Sequence, residues 1–278
     1  MHPAAGGLRA VTSARNPALK LARALEAKKV RRERRLLVAE GEDLLTAALD
    51  HGVQPQVLLV DETRAGEIGD LLRRTAGVAE RYAVPPSLMA GVSTLAAHPR
   101  VVALIPQPPH RSFGAVAFPP APGVWLAGVA DPGNVGTLVR SAAALGADWL
   151  ALGPGSADPF HPRAVRGAMG ATFALPLLEG VRAEDLATRE GLRIVAAVAH
   201  GGVPPWEADL ASPLVLALGA ERGGLDTALD TLAARFPVVR VTIPQAAGTE
   251  SLNVAAAGAA LLAEALRQRH ARGAGASS

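Results

Sequence analysis

The sequence predicts an α/β protein whose C-terminal half is a mostly parallel sheet with helices on both faces. Three observations carry this. Apolar runs of strand length recur at 123–130, 149–153, 193–199, 213–219 and 237–243. Helical patterns stand between and after them: 134–147 places Val135, Leu138, Val139, Ala142 and Leu145 at helical spacing before Gly146, and 251–268 reads as a closing helix. The strand runs are nearly continuous in apolar residues rather than alternating, which is the signature of strands buried on both faces, hence of a parallel sheet.

The N-terminal part reads as a smaller α/β domain. Asn16-Pro17 turns the chain into a basic helix over 17–29, followed by a helix at 41–51, a short strand VLLV at 57–60 and a helix at 66–76. Residues 106–123, rich in proline and without periodic pattern, read as a stiff linker. The expected division is therefore 1–105, linker 106–123, 124–270, and a disordered tail at 271–278.

Composition narrows the function classes. With 49% hydrophobic but only 3% aromatic residues, the core must be built from Ala, Val and Leu. The chain has no cysteine, which excludes disulfides, thiolate metal sites and a cysteine nucleophile. The N-terminus lacks the apolar stretch of a signal peptide, and the longest apolar segments, such as 254–266, are too short to span a bilayer. A cytoplasmic protein away from membranes is expected. The net charge is only +3, yet residues 9–35 carry ten Lys or Arg against two acids, a local excess of +8. A one-signed cluster of this kind points to a polyanion such as RNA, although a charge run is also explained as a solvated helix face.

Chemistry is concentrated in loops that follow apolar strands. Asp131-Pro132-Gly133-Asn134 breaks the first strand, and Arg140 lies six residues beyond Asn134. In LGAERGGL (218–225) glycines allow close backbone approach to a ligand, and Glu221 is stranded in an apolar stretch. In IPQAAGTESLNV (243–254) Ser251 and Asn253 open the last helix. Each has a bland reading: Asn134 and Ser251 as helix caps, Glu221 as a solvated loop residue, Arg140 as a surface ion-pair partner. Ligands of doubly wound sheets bind at the carboxyl ends of strands, which would gather all three loops.

The strings NVGTLVRSAAALGAD (134–148), LALGAERGGL (216–225) and IPQAAGTESLNVAAAGAALL (243–262) resemble the signature motifs of the TrmH-type (SpoU) branch of the SPOUT RNA methyltransferases. Residues 158–177 resemble the family's intermediate segment, and 11–49 its small RNA-binding domain, similar to a ribosomal-protein L30-like fold. The third motif departs from the family pattern, with Gln245 where methionine is common and Ala247 where glycine is common, but its spacing from Ile243 to Ser251 is kept.

The resemblance implies a deep trefoil knot in the C-terminal domain and a homodimer whose site is completed across the interface. The implied cofactor is S-adenosylmethionine, held by Gly219, Ala220, Ile243, Pro244 and Leu252, largely through backbone. The reaction implied is methyl transfer to a ribose 2′-hydroxyl, of ribosomal RNA in preference to transfer RNA, without a metal. Asn134, Arg140, Glu221, Ser251 and Asn253 fall on the functional positions. Arg15, Lys20, Lys28, Arg31, Arg34 and Arg35 would hold RNA phosphates, joined by Arg163 and Arg166 near the target nucleotide. Two other classes compete. A nicotinamide dehydrogenase needs G-x-G-x-x-G after the first C-terminal strand, which is missing. A non-catalytic RNA-binding protein would share the basic arm but has no use for Asn134, Arg140 and Ser251 together. His200-Gly201-Gly202 suggests an esterase oxyanion segment, but the chain has no G-x-S-x-G elbow to go with it.

Overall fold

The computed structural model describes residues 7–93, 98–109, 111–115, 122–188, 192–219, 225–246 and 251–275. The chain divides into two compact units, one of residues 1–108 with 160–173, the other of 109–159 with 174–278.

The first unit holds a five-stranded mixed sheet. Its strands are β1 (Arg9–Ala10), β2 (Leu36–Glu40), β3 (Val57–Asp61), β4 (Glu80–Val84) and β5 (Val101–Pro106), in the order β1-β4-β3-β5-β2. β1, β4 and β3 run parallel, and β5 is antiparallel to both β3 and β2. Around it lie α1 (Pro17–Ala24), α2 (Lys28–Arg34), α3 (Glu42–Asp50), α4 (Gly69–Arg74, preceded by a 3₁₀ turn) and α5 (Pro86–Met89). The single basic helix expected over 17–29 is two helices. Asn16 starts α1 by accepting a 2.8 Å bond from the Ala18 N–H, with Pro17 in the first turn, where its missing donor costs nothing. At the end of α1, Arg31 reaches back and donates from Nη1 to the carbonyls of Leu25 and Glu26, both at 2.7 Å, satisfying acceptors that the helix end leaves free.

Arg31 is accordingly 1% exposed. Its guanidinium is spent inside the fold, which corrects its placement among the phosphate-binding cations. Arg15, Lys20, Lys28, Arg34 and Arg35 are exposed. Helix α7 (Pro162–Ala168), which carries Arg163 (exposed) and Arg166 (half-buried), packs on β2 within this unit. Gly170, at φ +90°, lets the chain pass close by: a Cβ there would lie 2.4 Å from that of Ala47.

The second unit is built on a wholly parallel six-stranded sheet. The strands β6 (Gly123–Ala127), β7 (Trp149–Leu152), β8 (Leu177–Glu179), β9 (Ile194–Ala197), β10 (Val215–Gly219) and β11 (Val238–Val241) lie in the order β11-β9-β10-β6-β7-β8. Its helices are α6 (Pro132–Ala144), the short α9 (Ala183–Leu186), α10 (Leu225–Ala233) and α11 (Val254–Gly275); the short α8 (Ala171–Ala174) falls at the boundary, with residues 171–173 in the first unit. Strand alternation sends Trp125, Ala127, Trp149, Ile194, Val215 and Ala217 to one face, where they pack with Leu186 of α9 and Leu225, Leu229 and Leu232 of α10. On the other face α11 packs against α6 and β10 so closely that a Cβ on Gly258 would lie 2.5 Å from Leu138 Cδ2 and 2.8 Å from Leu218 Cδ1. Residues 271–275, expected in a disordered tail, continue α11 because Arg272 is bound: it donates to Asp209 at 2.7 Å and to Ser212 Oγ at 3.0 Å. No helix among the described residues is long and apolar enough to cross a membrane.

Candidate active site

At the carboxyl ends of β9, β10 and β11 the second unit opens a cavity of about 260 Å³. Ala197, Val198 and Ala199 come from the end of β9, Leu218 and Gly219 from β10, and Val241, Ile243 and Gln245 from β11 and the loop beyond it. The start of α11 closes it with Ser251, Leu252, Asn253, Val254 and Ala257. Parallel strands all deliver their chain ends to one edge, so loops distant in sequence meet there. Gly219 is required by crowding rather than by its backbone angle: a Cβ there would lie 2.6 Å from that of Leu225 and 3.0 Å from the Ala127 carbonyl oxygen.

Two asparagines link the first and third loops. Asp131 caps α6, accepting a 2.9 Å bond from the Asn134 N–H, with Pro132 in the first turn. Asn134 therefore sits inside the first turn, and its side chain is not the cap. Its Oδ1 instead accepts a 3.0 Å bond from Asn253 Nδ2. Asn253 uses its other end to start α11: its Oδ1 accepts from Ala255 N–H at 2.8 Å and Ala256 N–H at 3.4 Å. One side chain thus fixes the last helix and orients the first motif. Ser251, read equally as a cap, is exposed at the cavity wall.

α11 is held at its far end as well. Arg269 donates to the Leu145 and Gly146 carbonyls at 2.9 and 3.2 Å, closing the C-terminal end of α6. Gln268 accepts from Leu210 N–H at 2.8 Å and donates to the Ala208 carbonyl at 3.1 Å. Burial pushes the Asp209 carboxyl up, but the Ser212 hydroxyl and backbone N–H and the Arg193 guanidinium hold it well below the usual carboxylate range, and Arg272 also donates to it at 2.7 Å. Arg267, with both of its bonds at 2.7 Å, and then Gln268 bring Glu264 down to about 2. Asp209, bonded to Arg272, anchors the helix that presents Asn253, while the Glu264 bonds lie within α11 itself.

Of the residues expected to hold the cofactor, Gly219, Ile243 and Leu252 line the cavity, while Pro244 is exposed beside it. Ala220 and Glu221 lie outside the described residues. Ser251 and Asn253 line it, and Asn134 is bonded to its wall. Arg140 is exposed on α6 and does not line the cavity of its own chain. Sequence reasoning missed Ala197, Val198, Ala199 and Gln245. The end of the run 193–199 could have supplied the first three, since the strand-end rule applies to every strand of the sheet.

Residues 122–263 match the SpoU rRNA Methylase family. The chain belongs to that family. Residues 16–103 match the MRM3-like substrate binding domain. The 23S rRNA (uridine(2479)-2′-O)-methyltransferase of Streptomyces viridochromogenes is 32% identical, covering 81% of this chain and 80% of that protein. The 23S rRNA (guanosine(2553)-2′-O)-methyltransferase RlmP of Bacillus subtilis is 29% identical over 92% of this chain and 98% of its own length. The AdoMet-bound rRNA methyltransferase of Sinorhizobium meliloti superposes with a TM-score of 0.81 at 31% identity, over 94% of this chain and 98% of that one. As a SpoU family member, the chain has its family match almost wholly within the unit that carries the cavity.

Proposed function

We propose that this protein transfers the methyl group of S-adenosylmethionine to a ribose 2′-hydroxyl of ribosomal RNA. The observation that carries the reading is the strand-end cavity, which gathers Gly219, Ile243, Ser251, Leu252 and Asn253 and is tied to Asn134 by a 3.0 Å bond. The lining fits the cofactor. Small apolar side chains leave room for a flat base, strand ends offer backbone donors and acceptors, and Gln245 Oε1 is buried there without a partner among the described residues.

Bound S-adenosylmethionine supplies an already electrophilic methyl group, so the protein's task is to align the hydroxyl oxygen and ease loss of its proton. Arg140 grips the phosphate or ribose and stabilises the developing alkoxide; a guanidinium stays protonated, which suits it to that role rather than to taking the proton. Asn134, held by Asn253, orients the ribose or the arginine. Ser251 positions the nucleotide, and Glu221 sets the local charge balance. Gly219, Ala220, Ile243, Pro244 and Leu252 contact the cofactor, mainly through backbone. The exposure of Arg140 outside its own chain's cavity supports a homodimer in which each copy completes the other's site. The trefoil knot and the cytoplasmic location belong to the same reading and rest on the family resemblance.

The N-terminal residues 1–105 serve as the substrate-binding part, with Arg15, Lys20, Lys28, Arg34 and Arg35 on phosphates and Arg163 and Arg166 nearer the target. The match of residues 16–103 to a substrate binding domain supports this. Labelled S-adenosylmethionine incubated with ribosomal RNA tests the reading. The native protein should label RNA, and Arg140→Ala should lose at least about a hundredfold in rate while cofactor affinity and fold persist. Near-native turnover in Arg140→Ala would remove that residue from the mechanism.

A further inference from the structure

Residues 160–173 leave only two side chains exposed, Arg163 and Met169. Pro162, Ala164, Val165 and Ala168 are buried, and α7 packs on β2. Met169 ends α7 in the left-handed region, at φ +47° and ψ +45°, and is 46% exposed. Among the described residues other than glycine, only Arg35 shares a positive φ. A residue with a Cβ adopts that conformation at a cost, so the surroundings must hold it there. They do so on both sides. The Met169 N–H donates to the Arg166 carbonyl at 3.2 Å, and Gly170 lies too close to Ala47 of α3 to admit a Cβ. A long thioether is thus presented to solvent from a firm support. Its surroundings in the chain carry one sign of charge: residues 160–173 contain Arg163 and Arg166 and no acid.

We infer that Met169 packs its thioether against the face of an unpaired RNA base, beside phosphates held by Arg163 and Arg166. This rests on the proposed function, since it presumes that RNA is the substrate. The cations and the thioether ask for different things. A guanidinium binds phosphate, which paired and unpaired RNA offer alike. A thioether gains nothing from phosphate, but its polarizable sulfur packs well on a flat π-system. In a duplex the base faces are stacked on one another, whereas loops, bulges and ends splay them out. Stacking of that kind tolerates any base, because each has a π-face. A polyanion that also carries flat, uncharged rings therefore matches both halves of this surface at once.

Oxidation footprinting tests this without turnover. Dilute hydrogen peroxide converts an accessible thioether to its sulfoxide, and peptide mass spectrometry separates Met169 from Met1 and from the fully buried Met89. Saturating ribosomal RNA should slow oxidation of Met169 by about fivefold or more, and a fully paired RNA duplex should leave it unprotected. Filter binding across a salt series supplies the second readout. Met169→Gly should weaken binding of ribosomal RNA about tenfold, the value of one stacked base, with the slope of affinity against salt unchanged. Its melting temperature should not fall, because glycine suits the left-handed turn. Met169→Leu keeps the apolar bulk and should retain most of the affinity, whereas Arg163→Ala should flatten the salt slope by about one unit. Unslowed oxidation of Met169 with ribosomal RNA bound, or equal protection by the duplex, would overturn the inference and leave the proposed function intact. Failure of ribosomal RNA to bind the native protein would overturn both.

Discussion

The basic N-terminal segment and the strand-end cavity were both read from short stretches of sequence, and they behave differently in the structure. In the cavity, position follows from topology: six parallel strands deliver their ends to one edge, and residues from 197 to 257 meet there. In the basic segment, position is decided residue by residue. Lys28 and Arg34 are exposed, whereas Arg31, between them, is buried and holds α1 in place. A motif tied to a strand end is placed by the sheet, while a charge in a run has no such constraint, and burial sorts ligand from scaffold.

The sharpest test of that contrast compares Arg31 with its neighbour. Arg31→Ala leaves the Leu25 and Glu26 carbonyls without their donor and opens a void, and should destabilise the protein by about 2–4 kcal/mol. Lys28→Ala should leave the melting temperature nearly unchanged and instead flatten the salt dependence of RNA affinity by roughly one unit of slope. Equal melting temperatures for the two variants would erase the distinction. On the cavity side, Gly219→Ala forces a Cβ against Leu225 and the Ala127 carbonyl, and chemical denaturation should show a loss of about 1–3 kcal/mol together with weaker S-adenosylmethionine binding.

Asn253→Ala removes a helix cap and the bond to Asn134 together, and should cost about 1–2 kcal/mol. A double-mutant cycle with Asn134→Ala isolates the amide–amide bond, and a coupling near zero would deny that the two motifs are linked. The smallest effect concerns pH. The Asp209 carboxyl is held below its ordinary value in the fold, so the unfolded chain takes up the proton first as pH falls. Its contribution is complete above about pH 4 and is lost as pH drops through the folded group's lower value. Acid titration of stability should be shallower in Asp209→Asn than in the native protein, and identical curves would show that Asp209 does not anchor α11.

The parallel sheet was legible because its strands are apolar runs with clear ends, and each of the runs read from sequence contains a strand. The first unit was less so. Only β3 was anticipated of its strands; β2 follows directly on the charge run without a breaker, and β4 opens with Glu80-Arg81, which does not read as a buried strand. The split between α1 and α2 has no glycine or proline to announce it, and the carbonyls it frees are satisfied by an arginine side chain from further along the chain. Within the site, Ser251, Leu252 and Asn253 were placed by motif. The division of labour between Asp131 and Asn134 was not, because both are good caps and only the three-dimensional proximity of Asn253 decides which side chain is left for the site. Gln245 stood out in sequence only as a departure, and its buried, unpartnered oxygen appears only once the cavity is formed.

The central claim is that this cavity transfers a methyl group to a ribose. The direct measurement is a map of 2′-O-methylation across ribosomal RNA after incubation with the purified protein and S-adenosylmethionine, beside an Arg140→Ala control. A new ribose methylation present with the native protein and absent with the variant is the predicted result. Methylation confined to a base, or no cofactor-dependent mark on RNA, would contradict it.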